Sequence, residues 1–190
     1  MHPGALAIGT SAGGTRALVE ILGRLPEDFP LPIIVVQHLR TESGEILVDI
    51  LKKGCKIRVK EAEDKDPIEN GWAYFAPSDY HLLVESDYTL GLSADPPVGF
   101  ARPSIDVMLE SAARVYRDKL LALILTGASD DGTAGINIVK KMNGTTIAQD
   151  PSSAEFPRMP QSAIESGQID KIFPLSIISE KLIEMANDRK

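Results

Sequence analysis

The chain has 190 residues, of which 43% are hydrophobic and 5% aromatic, and these values fit one compact domain with an aliphatic core. A net charge of -7 and a pI near 5.0 argue against non-specific binding to nucleic acid or anionic lipid. The single cysteine, Cys55, excludes an internal disulfide and a thiolate metal cluster, and it favours a reducing cytoplasm.

Short β-rich runs alternate with longer stretches of helical periodicity, which is the pattern of βα units around a mostly parallel sheet. The predicted strands cover residues 5–8, 33–36, 120–125, 145–148 and 171–173. The predicted helices begin near Thr15, Glu42, Ser104, Thr133 and Pro160, and a last one covers residues 175–187. We therefore expect residues 1–190 to form a single doubly wound, Rossmann-like α/β domain.

The middle of the chain has a different pattern. Four short strand-like runs, separated by turn residues, lie between residues 55 and 93: CKIRVKEAE, WAYFAP, HLLVES and YTLGLS. They predict an antiparallel insertion within the α/β domain. No run in the chain approaches the roughly 18 apolar residues that a membrane-spanning helix needs.

The run ALAIGTSAGGT, residues 5–15, ends the first predicted strand in a glycine-rich turn. A dinucleotide fingerprint would need glycine in place of Ser11 and an acidic residue near Gln37, and a Walker motif would need a lysine. Residues 9–13 instead match G-x-S-x-G between a strand and a helix, where a sharp turn presents a nucleophilic serine. A serine that caps the following helix would fit the same residues.

A serine nucleophile needs a base, and the chain contains His2, His38 and His81. His38 ends the second predicted strand, and the carboxyl ends of parallel strands share one edge of a sheet, so His38 can meet Ser11. A strand-end histidine bonded to backbone would also fit this position. His81, in the insertion, either lines the cleft or closes a turn.

An orienting carboxylate is expected at the end of another strand. The run LLALILTGASDDGTAG supplies Asp130 and Asp131 directly after the strand predicted at 120–125. An Asp-Gly turn or a helix cap would also account for these residues. The chain order Ser, His, Asp differs from the Ser, Asp, His order of α/β-hydrolases, so the turn does not place the chain in that fold.

Two further segments supply candidates for substrate binding. Arg102, in RPSID, is a cation that could bind a carboxylate, although Pro103 and Asp106 in the same segment are typical of a helix start. Arg158 and Met159, in EFPRMP, could form another wall of a cleft, and the methionine could equally pack in the core.

These segments together resemble the catalytic domain of chemotaxis protein-glutamate methylesterases, the CheB family. The matching segments occur in family order between residues 8 and 160: IGTSAGGT, VVQHL, VKEAED, AYFAPSDYH, RPSID, LILTGASDDGTAG and AQDPSSAEFPRMP. The resemblance implies a doubly wound, mostly parallel α/β domain with an antiparallel hairpin. It also implies an esterase that releases methanol from γ-glutamyl methyl esters of chemotaxis receptors and can deamidate receptor glutamines.

By position in the motifs, the resemblance makes Ser11 the nucleophile, His38 the base and Asp131 the orienting carboxylate. The backbone N–H groups of Ala12 and Ala128 would bind the oxyanion. It implies no metal and no organic cofactor, and its partners would be methylated chemotaxis receptors and a separate signalling partner, without nucleic acid and without insertion into the membrane.

The chain departs from the family pattern at two places and in its length. Asp130 replaces the usual asparagine, and residues 39–45, LRTESGE, replace a Met-Pro-Pro-Gly stretch. The first strand is predicted from residue 5, so we expect no receiver domain, in either a standalone enzyme or a fragment. The alternatives to a receptor methylesterase are a serine hydrolase of another signalling pathway and a non-catalytic docking module.

Overall fold

In the computed structural model, which describes residues 4–38 and 44–187, the strands and helices alternate along the chain. The strands are β1 (Ala5–Thr10), β2 (Ile33–Gln37), β3 (Arg58–Glu61), β4 (Trp72–Phe75), β5 (His81–Val84), β6 (Leu90–Ser93), β7 (Leu120–Ile124), β8 (Thr145–Gln149) and β9 (Lys171–Phe173). The helices are α1 (Gly14–Leu22), α2 (Gly44–Gly54), α3 (Ile105–Tyr116), α4 (Thr133–Lys141), α5 (Arg158–Glu165) and α6 (Leu175–Asn187).

Seven strands of the described residues form one parallel sheet in the order β3-β4-β2-β1-β7-β8-β9. The central strand, β1, is buried along its whole length, as expected for a strand that helices cover on both faces. Its side chains alternate between two cores. Leu6 and Ile8 pack with α1, α2 and α6, whereas Ala5 and Ala7 pack with α3, α4 and α5.

Glycine at position 9 lets α3 begin directly against the sheet. A Cβ atom at Gly9 would lie 2.3 Å from Cγ2 of Ile105, the first residue of α3, so any larger side chain would push this helix start away. Because Gly9 lies near the carboxyl end of β1, the start of α3 is held close to the residues that follow the strand.

The predicted α/β fold and the antiparallel hairpin are confirmed, but the insertion is smaller than predicted. Among the strands of the described residues, only β5 and β6 pair in antiparallel, with Leu82 opposite Leu92. The runs CKIRVKEAE and WAYFAP instead form β3 and β4, which extend the parallel sheet beyond β2. Residues 62–71 return the chain between them, so that β4 runs in the same direction as β3. A short apolar run has the same hydrophobic periodicity in a parallel and in an antiparallel pair, so the sequence pattern could not distinguish the two pairings.

The predicted element bounds agree with the structure to within about two residues, except where the chain is not described. Thus α3 begins at Ile105, with Ser104 as its N-cap, so Pro103 precedes the cap and is not in the first turn. The helix start predicted near Glu42 lies outside the described residues. No helix within residues 4–38 and 44–187 has the length and apolar character needed to cross a bilayer.

Candidate active site

Ser11 lies in a tight turn between β1 and α1. Its backbone N–H donates to the carbonyl of Thr126 (3.0 Å), and its own carbonyl accepts from the N–H of Gly14 (2.9 Å) and from Nε2 of Gln37 (2.8 Å). The N-cap of α1 is Gly13, with a left-handed φ of 77°, so the alternative of a capping serine is wrong. The Ser11 hydroxyl makes no hydrogen bond to another described residue, which leaves it free to react.

His38 follows β2, the strand next to β1. Thr10 is paired with Gln37 in the register of these strands, and the backbone N–H of His38 donates to the carbonyl of Thr10 (3.1 Å), so Ser11 and His38 follow paired residues at one edge of the sheet. Nε2 of His38 lies 2.9 Å from Oδ2 of Asp131. The ring N–H is not aligned on this oxygen, as is common for catalytic hydrogen bonds before substrate binds.

This arrangement fixes which ring nitrogen can act as a base. The carboxylate of Asp131 favours a proton on Nε2 of His38, so the free electron pair lies on Nδ1. In the familiar serine-protease triad the carboxylate instead contacts Nδ1, and Nε2 is the base. Relative to that triad, the carboxylate of Asp131 contacts the other ring nitrogen of His38.

Asp131 is buried and is held by the N-terminus of α3. Its carboxylate accepts hydrogen bonds from the hydroxyl of Ser104 (3.0 Å) and from the backbone N–H groups of Ile105 (2.8 Å) and Asp106 (3.0 Å). Burial alone would raise the pKa of Asp131, but the contact with His38 and the two backbone hydrogen bonds outweigh it and lower the pKa below its ordinary value. Asp131 is thus ionised and fixed in orientation.

Asp106 makes the reciprocal connection. Its carboxylate accepts from the backbone N–H groups of Gly132 (2.9 Å) and Gly135 (2.7 Å) at the start of α4. Asp131 therefore caps α3 while Asp106 caps α4, and we call this crossed pair the Asp106–Asp131 clasp. The sequence places Asp106 only at the start of its own helix, because a cap supplied by another helix has no local sequence pattern.

Two backbone N–H groups, those of Ala12 and Ala128, have no acceptor among the described residues. Thr126, which sequence analysis did not single out, joins the two turns that carry them. Its hydroxyl donates to the carbonyl of Ala12 (3.0 Å) and accepts from the N–H of Phe156 (2.8 Å), while its carbonyl accepts from the Thr10 hydroxyl (2.9 Å). These free donors can stabilise an oxyanion.

Two of the predicted substrate-binding residues lie beside cavities at the site. Arg102 lines a cavity of about 240 Å³ together with His38, and its Nη1 donates to the carbonyls of Ala94 (2.9 Å) and Asp95 (3.1 Å). Arg158 is exposed and lines a second cavity, of about 410 Å³, together with Ala128. The structure therefore brings both arginines to the edges of the site.

His81 and Met159 do not form walls of the site. His81 is 2% exposed, its Nδ1 accepts from the backbone N–H of Ser104 (3.2 Å), and its Nε2 donates to the carbonyl of Pro96 (3.2 Å). It therefore supports the N-cap of α3. Met159 is completely buried, and its side chain covers Gly127 so closely that a Cβ there would lie 2.6 Å from it. Both side chains are internal because their neighbours close around them, which local sequence does not show.

Asp130 is exposed, so its additional carboxylate faces solvent. Across the described part of the chain, no group of three or more His, Cys, Asp or Glu residues is arranged to hold a metal ion. Residues 39–43 of the divergent LRTESGE stretch, and the terminal His2, lie outside the described residues.

With this geometry established, comparison with known proteins identifies the family. The model of the CheB methylesterase family matches residues 6–182. The chain belongs to the CheB methylesterase family. It is also similar to the crystal structure of the Thermotoga maritima CheB methylesterase catalytic domain, with a TM-score of 0.94 and 38% identity over 97% of this chain and all of that one.

Among curated proteins, a Leptospira interrogans relative named a putative protein-glutamate methylesterase/protein-glutamine glutaminase is 45% identical over 97% of this chain and 96% of its own. A Thermotoga maritima protein-glutamate methylesterase/protein-glutamine glutaminase is 39% identical over 95% of this chain but only 53% of its own length. This CheB-family chain thus spans nearly all of the first relative and about half of the second.

The clasp of this CheB-family domain predicts a pH-dependent stability. Burial raises the pKa of Asp106 to about 6, and the charge of Asp131 adds to the rise, whereas the N–H groups of Gly135 and Gly132 oppose it. A carboxyl whose folded pKa is raised stabilises the fold at low pH, and this contribution is lost as pH rises through the folded value.

Asp106→Asn keeps an oxygen acceptor and removes the titration. We expect the free energy of unfolding of the wild type, relative to that of the variant, to be greater at pH 5 than at pH 7. Urea titrations at the two pH values measure this difference, and Asp131, whose pKa is lowered, stays ionised over this range in the wild type. An equal difference at both pH values would contradict the assignment.

Proposed function

We propose that this chain is a serine hydrolase that removes methyl groups from γ-glutamyl methyl esters of chemotaxis receptors and releases methanol. Ser11 is the nucleophile, His38 the general base and Asp131 the orienting carboxylate. The observation that carries the proposal is the 2.9 Å contact between His38 Nε2 and the buried, multiply hydrogen-bonded Asp131, at the sheet edge where Ser11 has a free hydroxyl.

In the proposed reaction, Nδ1 of His38 takes the proton of the Ser11 hydroxyl as its oxygen attacks the ester carbonyl. The resulting oxyanion is bound by the backbone N–H groups of Ala12 and Ala128, each of which contributes about 3 kcal/mol by analogy with other oxyanion holes. His38 then gives the proton to the departing methoxide, and methanol leaves an acyl group on Ser11.

Water completes the cycle. His38 takes a proton from water as it attacks the acyl group, and returns it to the Ser11 oxygen as the second tetrahedral intermediate collapses. The glutamic acid product then loses its proton to solvent and leaves as a carboxylate. Asp131 remains ionised throughout and stabilises the imidazolium form of His38. The same steps deamidate glutamine, with ammonia as the leaving group, in agreement with the names of the relatives at 45% and 39% identity.

We place the reaction in the cytoplasm, because the single cysteine, Cys55, cannot form an internal disulfide and therefore fits a reducing compartment. The receptor is the protein partner, and Arg102 and Arg158 at the cavity edges are the cations offered to its acidic residues.

The test is release of radiolabelled methanol from membranes that carry receptors methylated on glutamate. We expect the wild-type chain to release label in proportion to its concentration, and the heat-inactivated chain to release none. A known methylesterase run on the same membranes shows that the esters are accessible. If that enzyme releases label and this chain does not, receptor esters are not its substrate.

A further inference from the structure

Two phenylalanine rings are exposed beside the proposed active site. Phe100 is completely exposed, with a relative exposure of 105% for the whole residue, and it lies in a turn closed by the paired residues Val98 and Ala101. Phe156 is 40% exposed as a whole residue. Exposed aromatic rings contribute little to folding, and when they cluster at a functional site they are typical of a protein interaction surface.

The two rings lie on opposite sides of the nucleophile. Phe100 lines the cavity of about 240 Å³ that includes His38, which follows β2. Phe156 lines the cavity of about 410 Å³ that includes Ala128, which follows β7. Because β1 lies between β2 and β7 in the sheet, Ser11 at the end of β1 lies between the two cavities.

Each ring is accompanied by an arginine two residues later. Arg102 shares the cavity of Phe100, and its guanidinium is held in place by backbone carbonyls. Arg158 shares the cavity of Phe156, where the acidic Glu165 is engaged by a hydrogen bond from Gln161 (2.9 Å). In a chain of net charge -7, these two arginines place positive charge where an acidic substrate would approach.

We propose that Phe100 and Phe156, with Arg102 and Arg158, form a docking surface for the substrate protein segment that carries the methylated glutamate. The segment that fits has apolar side chains on both sides of the ester, which cover the two rings, and acidic residues that pair with the arginines. This inference rests on the proposed function and deepens it, since it explains how an enzyme selects an ester on a protein from other esters.

The test compares two substrates: membranes with methylated receptors, and the blocked single residue N-acetyl-glutamate-γ-methyl ester amide. We expect Phe100→Asn and Phe156→Ser to lower kcat/KM for the receptor at least about tenfold more than for the small ester, as expected when an aromatic anchor is lost. Asparagine is chosen because Phe100 has a left-handed φ of 66° that this residue tolerates.

Tyr88→Asn is the matched control. Tyr88 is also an aromatic residue more than half exposed, with a φ of 62°, but it packs edge-on against Tyr116 at the far end of α3. We expect this variant to leave both rates within twofold of the wild type. Circular dichroism and thermal unfolding of all variants verify that each is folded.

The outcomes separate the docking surface from the proposed function. If the wild type acts on neither substrate, the proposed function fails. If the wild type acts on the small ester alone, receptor esters are not its substrate, and the proposed function and the docking surface both fail. If the receptor is a substrate but the phenylalanine variants lose equal activity on both substrates, or none on the receptor, the docking surface alone is wrong. Self-association of the wild type that Phe100→Asn abolishes would assign the surface to a second copy of the chain and overturn the proposal.

Discussion

Replacing Ser11 by alanine is expected to lower methanol release from methylated receptors by about 10⁴-fold or more, because the reaction then lacks its proposed nucleophile. The fold should be retained. The turn is held by the backbone of Ser11 through Thr126, Gly14 and Gln37, and its hydroxyl makes no hydrogen bond to a described residue, so alanine removes none of these contacts. Steady-state assays with receptor membranes, together with thermal unfolding, measure both effects.

Ser129→Ala is the matched control for this variant. Ser129 lies in the loop after β7, close along the chain to Asp131, and its hydroxyl is buried without a hydrogen-bond partner. We expect this variant to keep activity within about threefold of the wild type, a change far below the loss of a nucleophile. If Ser129→Ala is inactive while Ser11→Ala retains activity, the nucleophile has been assigned to the wrong serine.

The second large effect is expected at Asp131, where alanine and asparagine should have different consequences. Asp131→Ala leaves the buried N–H group of Ile105 and the partly buried N–H group of Asp106 without their acceptor, and we expect it to lower the free energy of unfolding by about 2–4 kcal/mol. Asp131→Asn keeps an oxygen acceptor and should lose clearly less stability. Both variants should lose about 10⁴-fold in kcat, because neither holds His38 in the required tautomer.

Urea unfolding and receptor assays on the two variants make this comparison, with the exposed neighbour Asp130→Ala as a control that should change neither quantity. Since the folded pKa of Asp131 is lowered, its stabilising contribution is present at neutral pH and is lost as pH falls through that value. An Asp131→Asn variant that keeps a tenth or more of wild-type activity would mean that Asp131 only caps α3.

The parts of the site that could be predicted follow from topology and local motif. Ser11 was predicted because the G-x-S-x-G turn lies between a strand and a helix, and the structure confirms that context. The proximity of His38 to the end of β1 followed from the rule that parallel strands share their carboxyl edge. Neither inference requires knowledge of how distant side chains pack.

The parts that could not be predicted depend on contacts between elements distant in sequence. Asp106 lies in the first turn of α3 but caps α4, and Asp131 lies just before α4 but caps α3. The local sequence at each helix start contains no sign of this exchange. His81 and Met159 are polar or polarizable residues near site motifs, yet both are buried by neighbours that local patterns do not reveal. The direction in which β3 pairs could not be predicted for the same reason. It is parallel to β4 because of the path that residues 62–71 take between the two strands.

Trapping the acyl-enzyme tests most directly whether Ser11 carries the reaction. The wild type, mixed with a peptide that contains glutamate γ-methyl ester and quenched in acid during turnover, is analysed by intact and peptide mass spectrometry. We expect an adduct whose mass is that of the peptide less methanol, located on Ser11 and absent from Ser11→Ala. Methanol release with the adduct on another residue, or with the same adduct on the Ser11→Ala variant, would contradict the proposed mechanism.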